Sequence, residues 1–290
     1  MSERIAFIAD GPASVDAAVR AIGPKLELEL VEMPAESGAS RAFDDVEGAL
    51  HLAAQALGAV EALGLARVLV ASDAVTLHLR RSARLLAADD ALRARVNGQL
   101  ARTGAPPTTG AVEVRHLVWE LASERGLALV REHCVRPLEE LRVAPLHGCQ
   151  LLRPSRELGI DDPGAPASLG RLLTACGAVE VPLRSSTSCC GAAVAQTRPE
   201  IALGAAAVPH EQALDAEADV LVASSSRCYA MLSERREQIS RQADRDLAIP
   251  VLHVAQLVAL AFGLTRGVLQ LDRATLASRA IVDRLALPVG

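Results

Sequence analysis

The sequence of 290 residues predicts an α/β protein of two pseudo-repeated, cysteine-rich-type modules, in which parallel sheets are flanked by helices. Short β-branched segments alternate with longer segments whose apolar residues have helical spacing, and this alternation favours parallel sheets. The same order of segments occurs twice along the chain. Half of the residues are apolar and 22% are charged, which is typical of globular proteins.

The first half of the chain predicts three strands, separated by helices. We expect strands at residues 4–9, 26–31 and 66–71, and helices at residues 12–22, 44–64 and 78–100. Residues 103–110 are rich in proline and glycine, and such a composition predicts a loop.

The second half of the chain predicts four strands in the same scheme. We expect strands at residues 142–146, 178–183, 219–223 and 249–253, and helices at residues 169–176, 200–216 and after 253. A loop rich in proline and glycine is predicted at residues 154–166.

The two halves also match each other in sequence. A shift of 153 residues superposes residues 25–30 on 178–183 and Gly38 on Gly191. A shift of 137 residues pairs His116 with His253 and places Pro12 on Cys149. An insertion of 16 residues, roughly the loop at 154–166, accounts for the difference between the shifts. The repeat predicts modules at residues 1–140 and 141–290.

Composition and charge argue against several classes of protein. The net charge is −5 and only five residues are aromatic, so neither a basic face nor a set of stacking platforms for nucleic acid is expected. The most apolar stretch, residues 251–264, is too short to span a bilayer. The N-terminus lacks the pattern of a secretory signal. We therefore expect a soluble cytoplasmic protein, in which cysteines are thiols or metal ligands.

Four of the six cysteines share one setting. Each of Cys149, Cys189, Cys190 and Cys228 lies at the end of a predicted strand or in the loop after it. Such loops meet at one edge of a parallel sheet, so we expect the four thiols to converge. Thiolates are the soft ligands of iron–sulfur clusters and zinc.

Features around these cysteines refine the prediction. Gly191 is expected to open a helix whose amides favour thiolate charge. His147 is a candidate proton donor, with a structural role at the strand end as the alternative. Cys134 and Cys176 fall within apparent helices and are expected to be core residues. For Cys149, Cys189, Cys190 and Cys228, the alternative to metal ligation is the same role as core residues, because free cysteine is often buried.

Residues 141–264 resemble the second half of the B-type subunit of the heterodisulfide reductase family. The resemblance rests on GCQLLRP from Gly148, CCGA from Cys189, TRP from Thr197, and the pair Cys228-Tyr229. It implies a CCG module that occurs twice per chain, each copy holding a non-cubane [4Fe–4S] cluster on five thiolates. It also implies that a substrate disulfide is cleaved between the two clusters.

The chain departs from this family pattern in both modules. In the second module Ser225 stands where the family has the first cysteine of a Cys-x-x-Cys pair, so four thiolates remain. In the first module no ligand remains: Pro12 replaces the lone cysteine, Glu36-Ser37-Gly38 replace Cys-Cys-Gly, and Ser72 and Val75 replace the final pair.

Two functions follow as hypotheses. The first is a redox subunit that holds one [4Fe–4S] cluster, non-cubane or cubane, on Cys149, Cys189, Cys190 and Cys228. As the resemblance implies, it works beside a ferredoxin-like iron–sulfur subunit and a flavoprotein and exchanges electrons with a disulfide, thiol or sulfur-carrier substrate. The second is a non-catalytic structural paralogue in such a complex, with a structural iron–sulfur or zinc site. No nucleotide-binding or hydrolase motif is present.

Overall fold

A computed structural model describes residues 2–34, 36–159, 161–270 and 281. It contains two four-stranded parallel sheets with helices packed against them, which confirms the predicted fold class. The end of the second predicted module, residues 271–280 and 282–290, lies outside the described residues.

The two sheets have the same topology. The first consists of β1 (Glu3–Ile8), β2 (Leu28–Met33), β3 (Arg67–Val70) and β4 (Glu113–His116) in the order β2-β1-β3-β4. The second consists of β5 (Arg142–Leu146), β6 (Val179–Glu180), β7 (Val220–Ala223) and β8 (Val251–His253) in the order β6-β5-β7-β8. All neighbouring strands are parallel, so their carboxyl ends lie at one edge of each sheet.

Helices fill the connections between strands. In the first half they are α1 (Ala13–Ile22), α2 (Val46–Ala62), α3 (Asp73–Ala88), α4 (Asp90–Arg102), α5 (Leu117–Ala122) and α6 (Glu124–His133). In the second half they are α7 (Cys149–Leu152), α8 (Ser155–Leu158), α9 (Ser168–Ala175), α10 (Pro199–Asp215), α11 (Ser226–Tyr229), α12 (Arg236–Ala243) and α13 (Val254–Ala261). Short 3-10 turns lie at Gly23–Leu26, Ala39–Arg41 and Ala192–Val194, and a π-helical turn lies at Ala230–Glu234.

Several predicted elements differ in extent from the observed ones. The strand predicted at 178–183 is only β6: Val179 N and Val181 N donate to carbonyls of Leu141 and Val143, but Pro145 of β5 has no N–H with which to continue this ladder. The helix predicted at 78–100 is two helices, since Asp89 interrupts it and accepts a hydrogen bond from Leu92 N (2.9 Å) as the cap of α4. The loop predicted at 154–166 includes the single turn α8, and β2 begins only after the 3-10 turn Gly23–Leu26.

The two halves have the same local structure at positions that the shift of 153 residues pairs. Gly38 and Gly191 have φ angles of 80° and 83°, a conformation that favours glycine. A Cβ on Gly38 would lie 2.5 Å from the carbonyl oxygen of Ala49, and one on Gly191 would lie 2.4 Å from that of Ala202. These two alanines are themselves 153 residues apart. Both glycines therefore make the same close approach to a helix.

The paired histidines repeat in the same way. Nδ1 of His116 accepts a hydrogen bond from Val118 N, and Nδ1 of His253 accepts one from Ala255 N, both at 3.1 Å. Each histidine thus caps the helix that follows the last strand of its sheet.

The hydrophobic core does not separate at residue 140. One cluster of buried side chains includes residues of β1 and α1 as well as residues of β7 and α13, and α1 packs against α13. Burial of this shared surface ties the two sheets together. The division into modules at residues 1–140 and 141–290 stays a prediction. None of the helices in the described part of the chain is long and apolar enough to cross a membrane.

Candidate metal centre

Three loops at the carboxyl edge of the second sheet carry the four cysteines of interest. Cys149 begins α7, which follows β5, and Cys228 lies in α11, which follows β7. Cys189 and Cys190 lie in the connection between β6 and α10. The structure therefore brings together thiols that are up to 79 residues apart in sequence.

The four thiols form two hydrogen-bonded pairs. The sulfurs of Cys190 and Cys228 are 3.1 Å apart, and both side chains are buried. Cys149 is half-buried and donates a hydrogen bond to Cys189, which is exposed. The two pairs lie within electrostatic reach of each other.

The pairing makes the thiols unequal in acidity. The hydrogen bond from Cys149 lowers the pKa of Cys189, and the N–H of Gly191 (3.4 Å) and the charge of Arg227 add to that effect. The same hydrogen bond and burial raise the pKa of Cys149. The pKa of Cys228 is raised by its hydrogen bond to Cys190 and by burial. These contacts favour the thiolate form of Cys189 over that of Cys149 or Cys228.

We expect iodoacetamide at limiting concentration to alkylate Cys189 first in the reduced, metal-free chain at pH 7. Because the thiolate is the reactive form, Cys189 should react about tenfold faster than Cys149. Peptide mapping by mass spectrometry measures both rates. Arg227→Gln should slow the reaction at Cys189, whereas earlier labelling of Cys149 would contradict the assignment.

The turn after the vicinal cysteines differs from its prediction. Gly191 does not open an extended helix but precedes the three-residue turn Ala192–Val194. Its positive φ and its close approach to Ala202 bend the chain sharply after Cys190. The backbone N–H of Gly191 points at the Cys189 sulfur, so a single local amide favours the thiolate.

The chemistry of the donor set fits an iron–sulfur cluster. Among the residues that the structure describes, no three His, Cys, Asp or Glu side chains are grouped as ligands of a metal ion. The four thiols instead stand as two close pairs on three separate loops. Thiolates in such an arrangement suit a cluster of several metal atoms, which ligands reach from different sides. The assignment of the four cysteines as ligands stays a prediction.

Asp73 belongs to the first half of the chain but contacts the thiol site, and the sequence pattern did not predict this role. Its Oδ1 accepts a hydrogen bond from Ser225 Oγ (2.7 Å), and its Oδ2 accepts one from Gln150 N (3.2 Å). The Asp73 carboxylate is buried, and its negative charge raises the pKa of Cys149. The one sequence signal was its place beside Ser72, which aligns with Ser225 under the 153-residue shift.

The hydroxyl of Ser225 is engaged in two hydrogen bonds with Asp73. It donates to Asp73 and also accepts from the backbone N–H of Asp73 (3.2 Å). The neighbouring Ser224 Oγ accepts from Gly148 N (2.7 Å), directly before Cys149. Two consecutive serines thus fix the loop of Cys149, one of them through Asp73.

His147 lies at the end of β5 and is buried. Its backbone N–H donates to the carbonyl of Ser186 (2.7 Å), and its Nδ1 has no hydrogen-bond partner. Burial lowers its pKa to about 4, so the imidazole is neutral at pH 7. A catalytic role for His147 stays a prediction.

Cys134 and Cys176 follow helices and do not lie within them, contrary to the sequence prediction. Cys134 comes directly after α6 and Cys176 directly after α9, at the point where each helix ends. The Cys134 sulfur lies 3.9 Å from the carbonyl oxygen of Cys176. They form a contact of their own, and Cys176 is fully buried in the core.

Comparisons with known proteins agree with the arrangement of the cysteines. The cysteine-rich domain family CCG matches residues 143–233. The "8-methylmenaquinol:fumarate reductase membrane anchor subunit" of Wolinella succinogenes is 30% identical over 249 residues, which are 85% of this chain and 86% of that protein. The B-type subunit of the "Ferredoxin/F(420)H(2)-dependent CoB-CoM heterodisulfide reductase" of Methanosarcina acetivorans is 28% identical over 256 residues, which are 86% of this chain and 84% of that protein.

A solved structure shares the fold. The crystal structure of a hypothetical protein from Helicobacter pylori matches 93% of this chain with a TM-score of 0.71 and 15% sequence identity. The chain spans about half, 51%, of that protein's chain. At this identity the likeness concerns the fold alone.

Proposed function

This chain belongs to the heterodisulfide reductase family, as a B-type subunit with a CCG cysteine-rich domain, and we propose that it is an iron–sulfur redox subunit of a larger complex. The relatives are subunits of oxidoreductases. The observation that carries the proposal is the convergence of four thiols from three loops at one sheet edge. Cys149, Cys189, Cys190 and Cys228 are the proposed ligands of one [4Fe–4S] cluster, which supplies one-electron chemistry when bound.

The surrounding residues suit this role. Arg227 and the N–H of Gly191 favour the thiolate form of Cys189, as ligation requires. Cys190 and Cys228 are buried, which keeps water away from that side of the site. Cys189 is exposed, so the site is open to solvent or to a partner on the other side. Electrons would therefore enter or leave on the Cys189 side.

The family suggests the partners and the substrate class. We propose a ferredoxin-like iron–sulfur subunit and a flavoprotein as partners, and a disulfide, thiol or sulfur carrier as substrate. A cytoplasmic location is proposed with them, because reducing conditions keep thiols available as ligands.

The first half of the chain favours a second candidate, a non-catalytic paralogue with a structural iron–sulfur or zinc site. At the five positions that match the family's ligands stand Pro12, Glu36, Ser37, Ser72 and Val75, none of which is a thiolate. A reaction that needs two clusters in one chain would then take place in another subunit.

Metal analysis of the anaerobically purified chain separates the two candidates. We expect about four iron atoms and about four acid-labile sulfides per chain, with the absorption of a [4Fe–4S] cluster. Co-purification identifies the partner subunits. Stoichiometric zinc without sulfide would overturn the redox proposal and favour the structural paralogue.

Ser225→Cys tests whether this position is a vestigial ligand position. The hydroxyl and the thiol are similar in size, so we expect a fifth thiolate to shift the electron paramagnetic resonance and absorption spectra toward those of a complete family module. Ser226→Cys is the matched control, since the side chain of Ser226 faces Gly11 on the other side of the loop. A Ser225→Cys spectrum identical to wild type would mean that the segment is not equivalent to Cys-x-x-Cys.

A further inference from the structure

A cavity of about 600 Å³ occupies the place in the first half that corresponds to the thiol site of the second. Its lining includes Pro12, Ser37, Ser72 and Val75, which stand at the positions of the family's ligands. Residues of α11 and of the π-helical turn Ala230–Glu234 close it from the other half. This volume lies in the range of small-molecule sites.

Asp10 lines the cavity at the carboxyl end of β1. Its Oδ1 atom is buried and has no hydrogen-bond partner, although the side chain is hydrogen-bonded to Ser72. A buried carboxylate oxygen without a partner costs free energy, and a bound group that donates a hydrogen bond would recover it. Under the 137-residue shift Asp10 takes the position of His147, directly before the glycine that precedes Cys149.

The charges around Asp10 are mostly negative. The charged groups that face it or line the cavity are Asp16, Glu36, Asp73, Arg227 and Glu234. Glu36 is paired with Arg41 at 3.3 Å on the surface. The guanidinium of Arg227 donates to the carbonyl of Ala192 (3.4 Å) and acts on Cys189, so its charge is directed toward the thiols. Asp10 therefore lacks a cationic partner among these groups.

We propose that this cavity binds a small organic molecule that carries a protonated amine, with the carboxylate of Asp10 as its ion-pair partner. An ammonium group would donate a hydrogen bond to Oδ1 and neutralise part of the negative charge. The hydroxyls of Ser37, Ser40 and Ser72 line the same space and offer acceptors for its remaining hydrogens. This site is separate from the thiols and does not depend on the proposed cluster.

Burial and the charges of Asp16 and Asp73 raise the pKa of Asp10 to about 7. The carboxyl is protonated below that pH and ionised above it, so cation binding strengthens as the pH rises. Between pH 6 and pH 8 the ionised fraction rises from ~0.1 to ~0.9, and the apparent affinity should increase about tenfold.

Isothermal titration calorimetry of the full chain tests the site with three probes of one skeleton. Ethanolamine is the cationic probe, ethylene glycol the neutral one and glycolate the anionic one, and magnesium chloride tests a metal ion. We expect binding of ethanolamine alone, with one molecule per chain and the stated increase from pH 6 to pH 8. Asp10→Asn should weaken it about tenfold or more and abolish the pH dependence. Glu47→Gln, on the exposed first turn of α2, should leave it unchanged.

Ser40→Lys keeps the test decisive if Asp10→Asn fails to fold. Ser40 is exposed at the rim of the cavity, and a lysine there would supply an internal ammonium that competes with ethanolamine. We expect loss of binding with an unchanged melting temperature and iron content. Equal binding of ethylene glycol or glycolate, magnesium binding in place of ethanolamine, no measurable heat, or full affinity in a folded Asp10→Asn variant would each overturn the proposal.

Discussion

Replacement of Cys228 by serine is expected to remove most of the bound iron. Cys228 is 3% exposed and its sulfur lies 3.1 Å from that of Cys190, so no solvent ligand takes its place without opening the loop. Loss of one thiolate leaves an iron atom with an incomplete ligand set. We expect iron and acid-labile sulfide to fall to about one fifth of the wild-type content or less, measured after anaerobic purification.

The two remaining cysteines provide the control for this experiment. Cys134→Ser and Cys176→Ala replace two cysteines that contact each other and not the four thiols of the candidate metal centre. Both variants should keep wild-type iron content. The fold of Cys228→Ser is checked by circular dichroism, since serine is nearly isosteric with cysteine. A folded Cys228→Ser variant with full iron content would show that the metal site lies elsewhere.

Asp73→Ala is expected to destabilise the protein and to loosen the thiol site from the other half of the chain. It leaves Ser225 Oγ and Gln150 N without the oxygen atoms that they now contact. Each buried polar group left without a partner costs ~1–3 kcal/mol, so we expect the free energy of unfolding to fall by ~2–4 kcal/mol. Denaturant unfolding of the metal-free chain measures this change directly.

The same substitution has a second, electrostatic readout. The charge of Asp73 raises the pKa of Cys149 and Cys228, so its removal should lower both. Asp73→Asn keeps the shape and one acceptor, and it should restore part of the stability. Asp89→Ala removes the exposed cap of α4 and is the matched control, with an expected cost of ~1 kcal/mol and no effect on thiol pKa. Equal stability of Asp73→Ala and wild type would exclude the bridging role.

The fold was predictable because its signals are local and periodic. β5 occurs at residues 142–146 as predicted, where a short apolar run, residues 143–146, is followed by a loop and a helical segment. The repeat was visible because Gly38 and Gly191 meet the same steric demand, a positive φ beside a helix carbonyl. Boundaries were less predictable: β6 is short because its neighbour β5 contains Pro145, which has no N–H to donate, and the pairing of these two strands is not visible in the sequence.

The sequence by itself determined the α/β class, the repeat and the cysteines that follow the strands. Only the tertiary structure decided that these thiols form two pairs, that Asp73 reaches them from the other half, and that a cavity with Asp10 remains at the empty position. The physical reason is the distance along the sequence over which the interactions act. Strand and helix patterns arise from neighbouring residues. The contacts between the halves, by contrast, form only because a shared hydrophobic core packs the two sheets together, so that the corresponding loops of the two halves meet.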